Sequence, residues 1–133
     1  MSFGALASGD PKDILMPRSH GDSNRFQQVC MVWQKVPVPV IAALKGVCLG
    51  GGMQIALGAD IRIAAPGTRL SILEMKWGLV PDMGGMAILP RLLRSDVLRK
   101  LIYTNDLIDA AQAEAWGLVT ELADDPEAAA LAL

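Results

Sequence analysis

The chain has 133 residues, of which 52% are hydrophobic and 20% charged, and its formal net charge is −2. That is enough chain for one domain with a sizeable core. The acidic balance argues against a nucleic-acid surface, which needs a basic stripe, but leaves an anionic small ligand open. The two cysteines, Cys30 and Cys48, stand alone in apolar runs without metal-ligand spacing. They read as small buried hydrophobes, with neither a metal site nor a disulfide framework expected, as suits a cytoplasmic protein. The start MSFGALASGDPKD lacks the basic and apolar regions of a signal peptide. No apolar run reaches the roughly 18 residues of a membrane span.

Residues 1–21 are rich in Gly, Pro, Ser and Asp and read as a loop, with the sole histidine, His20, solvated in it. In DSNRFQQVCMVWQKV, Phe26, Val29, Cys30 and Trp33 recur at i, i+3, i+4 and i+7. This predicts an amphipathic helix capped near Asp22 or Ser23 and ended by Pro37 and Pro39. Val38–Leu44 reads as a short buried strand, followed by a turn at Lys45-Gly46. Gly50-Gly51-Gly52 leads into a short helix over MQIALGA, with Gly58 near its end. DIRIAA alternates, Ile61 and Ile63 on one face and Arg62 on the other, the pattern of a strand.

Pro66-Gly67 makes a turn, RLSIL another strand and KWGLVPDMGG a loop. A helix is expected from near Asp82 through MAILPRLL, kinked at Pro90. SDVLRKLIYT reads as a helix capped by Ser95, and IDAAQAEAWG as one capped by Asp109 and ended by Gly117. LVTEL is a strand. DDPEAAALAL opens a helix with Asp125 as cap and Pro126 in its first position, then stops after about two turns, too short to be stable alone. Short strands alternating with short helices predict an α/β fold with parallel crossovers, one domain over residues 1–133. No internal sequence repeat stands out. The ends lead us to expect a piece of a longer protein.

Three consecutive glycines are costly to order. A glycine turn at a helix start presents free N–H groups at the positive end of the helix dipole, where an anion or a developing oxyanion is stabilised. Neither Lys-Ser/Thr nor a G-x-G-x-x-G spacing follows, so a phosphate loop is not indicated. The other reading is a tight turn packed against a neighbouring element.

SILEMKWGLVPDMGG carries two acids, Glu74 and Asp82, among apolar residues that include Leu73, Trp77, Leu79 and Val80. Carboxyl groups against apolar walls hold protons to higher pH, which suits proton transfer near neutrality. Gly78 and Pro81 allow the chain to fold back and present both acids to one cavity. Two structural readings stand beside this: Glu74 paired with Arg62 or Arg69, and Asp82 as a helix cap. One histidine and no G-x-S-x-G leave a hydrolase triad without support. The three tryptophans, Trp33, Trp77 and Trp116, are read as core, with an interface as the alternative.

Four stretches, VPVIAALKGVCLGGGMQIALGADIRIAA, LEMKWGLVPDMGG, LPRLL and AEAWGLVTEL, together resemble the crotonase (enoyl-CoA hydratase/isomerase) family, over most of the chain from about Asn24. The resemblance implies a ββα spiral, here truncated at both ends, assembling as trimers or dimers of trimers. It implies acyl-CoA substrates, with coenzyme A entering only as part of the substrate and no other cofactor. It places the thioester oxygen on the amide of Gly51, with Gly50 and Leu79 beside the substrate. The family's two hydratase acids fall at Gln54 and Glu74, so one of them is an amide that orients but does not exchange protons. GLVPDMGG resembles the segment of dienoyl-CoA isomerases in which an aspartate, here Asp82, shuttles a proton.

The expectation is therefore double-bond migration in an enoyl- or dienoyl-CoA, with Glu74 and Asp82 as the acid/base pair. The alternatives are an enoyl-CoA hydratase using Glu74 and a water held by Gln54, and a non-catalytic acyl-CoA-binding protein. SFGALASGD is a loose echo of the family's second oxyanion segment. The N-terminal strands that carry that segment and the C-terminal helices are absent from the pattern.

Overall fold

The computed structural model describes residues 15–133. The SFGALASGD echo and most of the loop read over residues 1–21 lie outside them. His20 is exposed, and its backbone bridges to Ser23.

Helix α1 spans Arg25–Met31 and runs on into a 3-10 turn, Val32–Lys35. Its cap is Asn24 rather than Asp22 or Ser23. The Asn24 side chain accepts from the amides of Phe26 and Gln27, and Gln27 Oε1 accepts from the Asn24 amide at 3.0 Å. Such a reciprocal box needs a Gln or Glu three residues after the cap; only Asn24 has one.

The elements that follow are β1 (Ile41–Leu44), β2 (Val47–Leu49), α2 (Gly51–Leu57), β3 (Ile61–Ala64), β4 (Arg69–Ser71) and a 3-10 turn, Glu74–Trp77. After these come α3 (Gly85–Leu92), α4 (Ser95–Thr104), β5 (Ile108–Asp109), α5 (Ala110–Trp116), β6 (Glu121–Leu122) and α6 (Pro126–Ala132). One sheet has the order β1-β3-β6, all parallel, with Ile41 opposite Ile61 and Ile63 opposite Glu121. The other has the order β2-β4-β5, with β2 and β4 parallel and β5 antiparallel to β4. Each ββ pair thus gives one strand to each sheet before a helix follows. This is the expected ββα spiral, repeated in structure although not visibly in sequence. The two corners stack: Arg69 donates its amide to the Gly46 carbonyl at 2.9 Å, and Thr68 Oγ1 donates to the Leu44 carbonyl at 3.1 Å.

Strand β2 is absent from the sequence reading because three residues are too few to show a period. The alternation read in β3 also fails. Arg62 and Ile63 are both buried, since the strand is covered on both sides as parallel strands usually are. Arg62 is 4% exposed; its Nε donates to the Leu118 carbonyl at 2.7 Å and its Nη1 to the Ala59 carbonyl at 2.6 Å. Burial lowers the pKa of this guanidinium, and the charge of Asp60 opposes the shift.

Helix α3 starts at Gly85, so Asp82 does not cap it. Ser95 is the first residue of α4 and makes no cap bond. Asp109, Gly117, Asp125 and Pro126 take the terminal positions read from the sequence. Met53, Leu57, Leu70, Leu89 and Leu101 form the centre of an apolar cluster between the sheets and helices. Trp116 packs at its edge, whereas Trp33 and Trp77 are 40% and 68% exposed and so are not core. Among the described residues no helix is long and apolar enough to cross a membrane.

Candidate active site

At the end of β2, the Gly50 amide still donates to the Ser71 carbonyl at 3.0 Å, in the manner of a sheet ladder. The backbone then turns at Gly50 with φ 50° and ψ −123°, a conformation open to a residue without a Cβ. The Gly50 carbonyl accepts from the Gln54 amide at 3.0 Å, closing the first turn of α2. Glycine serves here because of the turn, and what lies opposite is in ordinary contact range. A Cβ on Gly50 would stand 3.6 Å from Oε1 of Glu74, and one on Gly51 would stand 3.5 Å from Sδ of Met83. Among the described residues no acceptor takes the Gly51 N–H.

Gln54 lies one helical turn beyond Gly50 and is 1% exposed. Its Nε2 donates to Oε1 of Glu74 at 2.7 Å, and its Oε1 accepts from the Gly85 amide at 3.0 Å. Glu74 opens the 3-10 turn after β4 and is half-buried. Its second oxygen, Oε2, is shielded from solvent and has no hydrogen-bond partner among the described residues. The pairing with Arg62 or Arg69 does not form; among the described residues the ion pair is an exposed one, Arg94 with Asp96 at 2.6 Å. Gln54 thus holds a carboxylate on one side and a backbone amide on the other.

The loop from Gly78 to Gly84 folds back on the glycine turn through Met83, as the spacing of Gly78 and Pro81 allows. Asp82 precedes Met83, is exposed, and makes no side-chain hydrogen bond or ion pair among the described residues. Its carbonyl accepts from Gln27 Nε2 at 3.1 Å, so the capping box of α1 also anchors this loop. Leu79 is 44% exposed and donates its amide to the Glu74 carbonyl at 3.1 Å. The structure therefore brings Gly50, Gly51, Gln54 and Glu74 together, and places Asp82 on the exposed rim of the same loop. A cavity of about 490 Å³ lies on another side of that loop, lined by Met75, Val80, Pro81, Met86, Leu98 and Ile102 among others. None of Gly51, Gln54, Glu74 and Asp82 lines it.

Cys30 packs beneath the site. Burial pushes its thiol up to about 11, and the charge of Glu74 adds to the shift. Cys48 is also raised by burial to about 11. Gly85, Gln27 and Met83 escaped the sequence reading. For Gln27 a signal exists, since Asn24-x-x-Gln27 is the spacing of a capping box. For Gly85 and Met83 only proximity reveals the role.

The family model described as enoyl-CoA hydratase/isomerase matches residues 9–130. The chain is 38% identical over 87 residues to the mitochondrial methylglutaconyl-CoA hydratase of Mus musculus, a match covering 65% of this chain and 28% of that protein. It is 38% identical over 91 residues to an enoyl-CoA isomerase/hydratase of Mycosarcoma maydis, covering 68% of this chain and 33% of that protein. The chain matches about a third or less of the length of either relative. Among solved structures, the enoyl-CoA hydratase of Thermoplasma volcanium GSS1 superposes with a TM-score of 0.79 at 34% identity, over 96% of this chain and 49% of that one.

Proposed function

The chain belongs to the enoyl-CoA hydratase/isomerase family, and from that premise we propose that its site stabilises the enolate of an acyl-CoA thioester during migration of a carbon–carbon double bond. The Gly51 N–H takes the thioester oxygen, where negative charge develops. Glu74 removes a proton from the acyl chain and Asp82 returns one at another carbon. Coenzyme A enters as part of the substrate. Assembly as a trimer or a dimer of trimers belongs to the same proposal, and the exposed Trp77 and Tyr103 supply apolar surface for it.

The observation that carries this reading is Gln54. It stands where hydration by two acids would need the second carboxyl, its amide is buried and bonded at both ends, and an amide does not exchange protons near neutrality. Hydration is the second reading, favoured by the hydratase names of relatives.

The test is to incubate the protein with enoyl- and dienoyl-CoA thioesters in water labelled with oxygen-18. A shifted double bond without label in the product supports isomerisation. Label in a 3-hydroxyacyl product replaces it with hydration, and binding without turnover replaces both with the non-catalytic reading.

A further inference from the structure

We infer that Gln54 is a positioning residue that holds the Glu74 carboxylate in one orientation toward the glycine turn, an inference that rests on the enolate reading and deepens it. A backbone N–H only donates, so the Gly85 amide, 3.0 Å away, fixes the Gln54 side chain with its oxygen toward Gly85. The close approach depends on glycine: a Cβ on Gly85 would stand 3.0 Å from that oxygen. The Gln54 nitrogen is therefore turned to Glu74 and donates to Oε1 at 2.7 Å, at the short end of N–H···O hydrogen bonds.

Oε1 is thus held as an acceptor. The other oxygen, Oε2, is out of contact with solvent and has no partner among the described residues, whereas Oε1 also faces the glycine turn, 3.6 Å from where a Cβ on Gly50 would stand. In the step itself, the C–H bond beside the thioester carbonyl breaks and the proton passes to the Glu74 carboxylate. The electron pair moves onto the thioester oxygen at the Gly51 N–H. Gln54 touches none of the reacting atoms; it acts through Glu74, by preventing the carboxylate from rotating.

The experiment compares wild type, Gln54→Leu and Gln54→Glu with a medium-chain 3-enoyl-CoA across pH, with thermal unfolding to confirm folding. Losing the clamp without losing the acid should lower kcat about a hundredfold, the scale of a misplacement near 1 Å, with KM changed less than about threefold. The carboxyl introduced by Gln54→Glu donates only while protonated. That variant should work at low pH and fade as pH rises, unlike wild type. Isotope-edited infrared spectra, with Glu74→Gln to identify the band, should show the Glu74 carboxylate stretch displaced in Gln54→Leu.

Kinetics and pH profile matching wild type in both variants would overturn the inference and leave the proposed reaction standing. If no form turns over any thioester, the proposed reaction fails and the infrared band decides alone: a displaced band supports the clamp, and an unmoved one overturns it.

Discussion

The side-chain nitrogen of Gln54 stands 2.7 Å from Oε1 of Glu74, so a buried amide on α2 grips the carboxylate that follows β4. The two elements lie in successive ββα units, and the grip therefore depends on the spiral stacking one unit on the next. Replacing Glu74 by glutamine keeps an oxygen to accept this bond and removes the proton carrier. Turnover of the thioester should fall by about two to four orders of magnitude, the usual share of a general acid–base group, with the melting temperature nearly unchanged. Steady-state kinetics beside thermal unfolding check this; wild-type turnover in Glu74→Gln would remove it from the reaction.

Asp82 offers a separate test, because nothing among the described residues uses its carboxylate. Asp82→Asn should leave stability within about 0.5 kcal/mol of wild type, as for surface changes away from caps and pairs. If Asp82 returns the proton, isomerisation falls by about two to four orders. Full activity in Asp82→Asn would leave Glu74 to carry the proton both ways.

Two glycines, Gly52 inside α2 and Gly58 at its C-terminal cap, should answer oppositely to alanine. A Cβ at Gly58 would run into the Cys30 carbonyl oxygen, a backbone atom, and would press on Trp33. Gly58→Ala should cost at least about 2 kcal/mol, from overpacking that must move α1 away from α2. A Cβ at Gly52 meets nothing within 4 Å. Gly52→Ala should stabilise α2 by about 0.5–1 kcal/mol, the helical penalty of glycine. Denaturant midpoints of the pair decide; equal destabilisation would refute the packing described at Gly58.

The thiols set an alkaline limit on stability. Cys30 and Cys48 are raised by burial from 9.0 to about 11. Below pH 9 both the folded and unfolded chains keep these protons. Between pH 9 and 11 only the unfolded chain releases them. Stability is therefore complete below pH 9 and falls as pH climbs toward 11, by up to about 2 kcal/mol per thiol. Urea unfolding at pH 8 and pH 10.5 should show the loss, and a Cys30→Ala, Cys48→Ala double variant should show less of it. At pH 8 alkylation should be slow in the folded protein and fast once it is denatured, since the thiolate is the reactive form.

Much of the helical framework is legible locally. Asp109 and Gly117 bracket α5, and Asp125-Pro126 opens α6, because caps and breakers act within a few residues of themselves. The glycine turn is legible for a similar reason, since three glycines before an apolar run restrict the backbone wherever the chain lies. Asp82 misleads as a helix cap because Gly84, at φ 134°, redirects the chain two residues later. Arg62 misleads because alternation reports one covered face, whereas β3 is covered on both. Trp77 misleads because size and apolarity do not by themselves say which side of a loop is buried.

The amino-acid sequence alone determined the α/β order, the bare turn at Gly50-Gly51 and the presence of Glu74 nearby in the chain, since each depends on local chemistry or on the repetition of apolar residues. Only the tertiary structure decided that Gln54 binds Glu74, that Gly85 orients Gln54, and that Asp82 is exposed. Those relations join residues 20 and 31 positions apart. Such distances close only when the two sheets stack, and no pattern along the chain reports which polar atoms then meet.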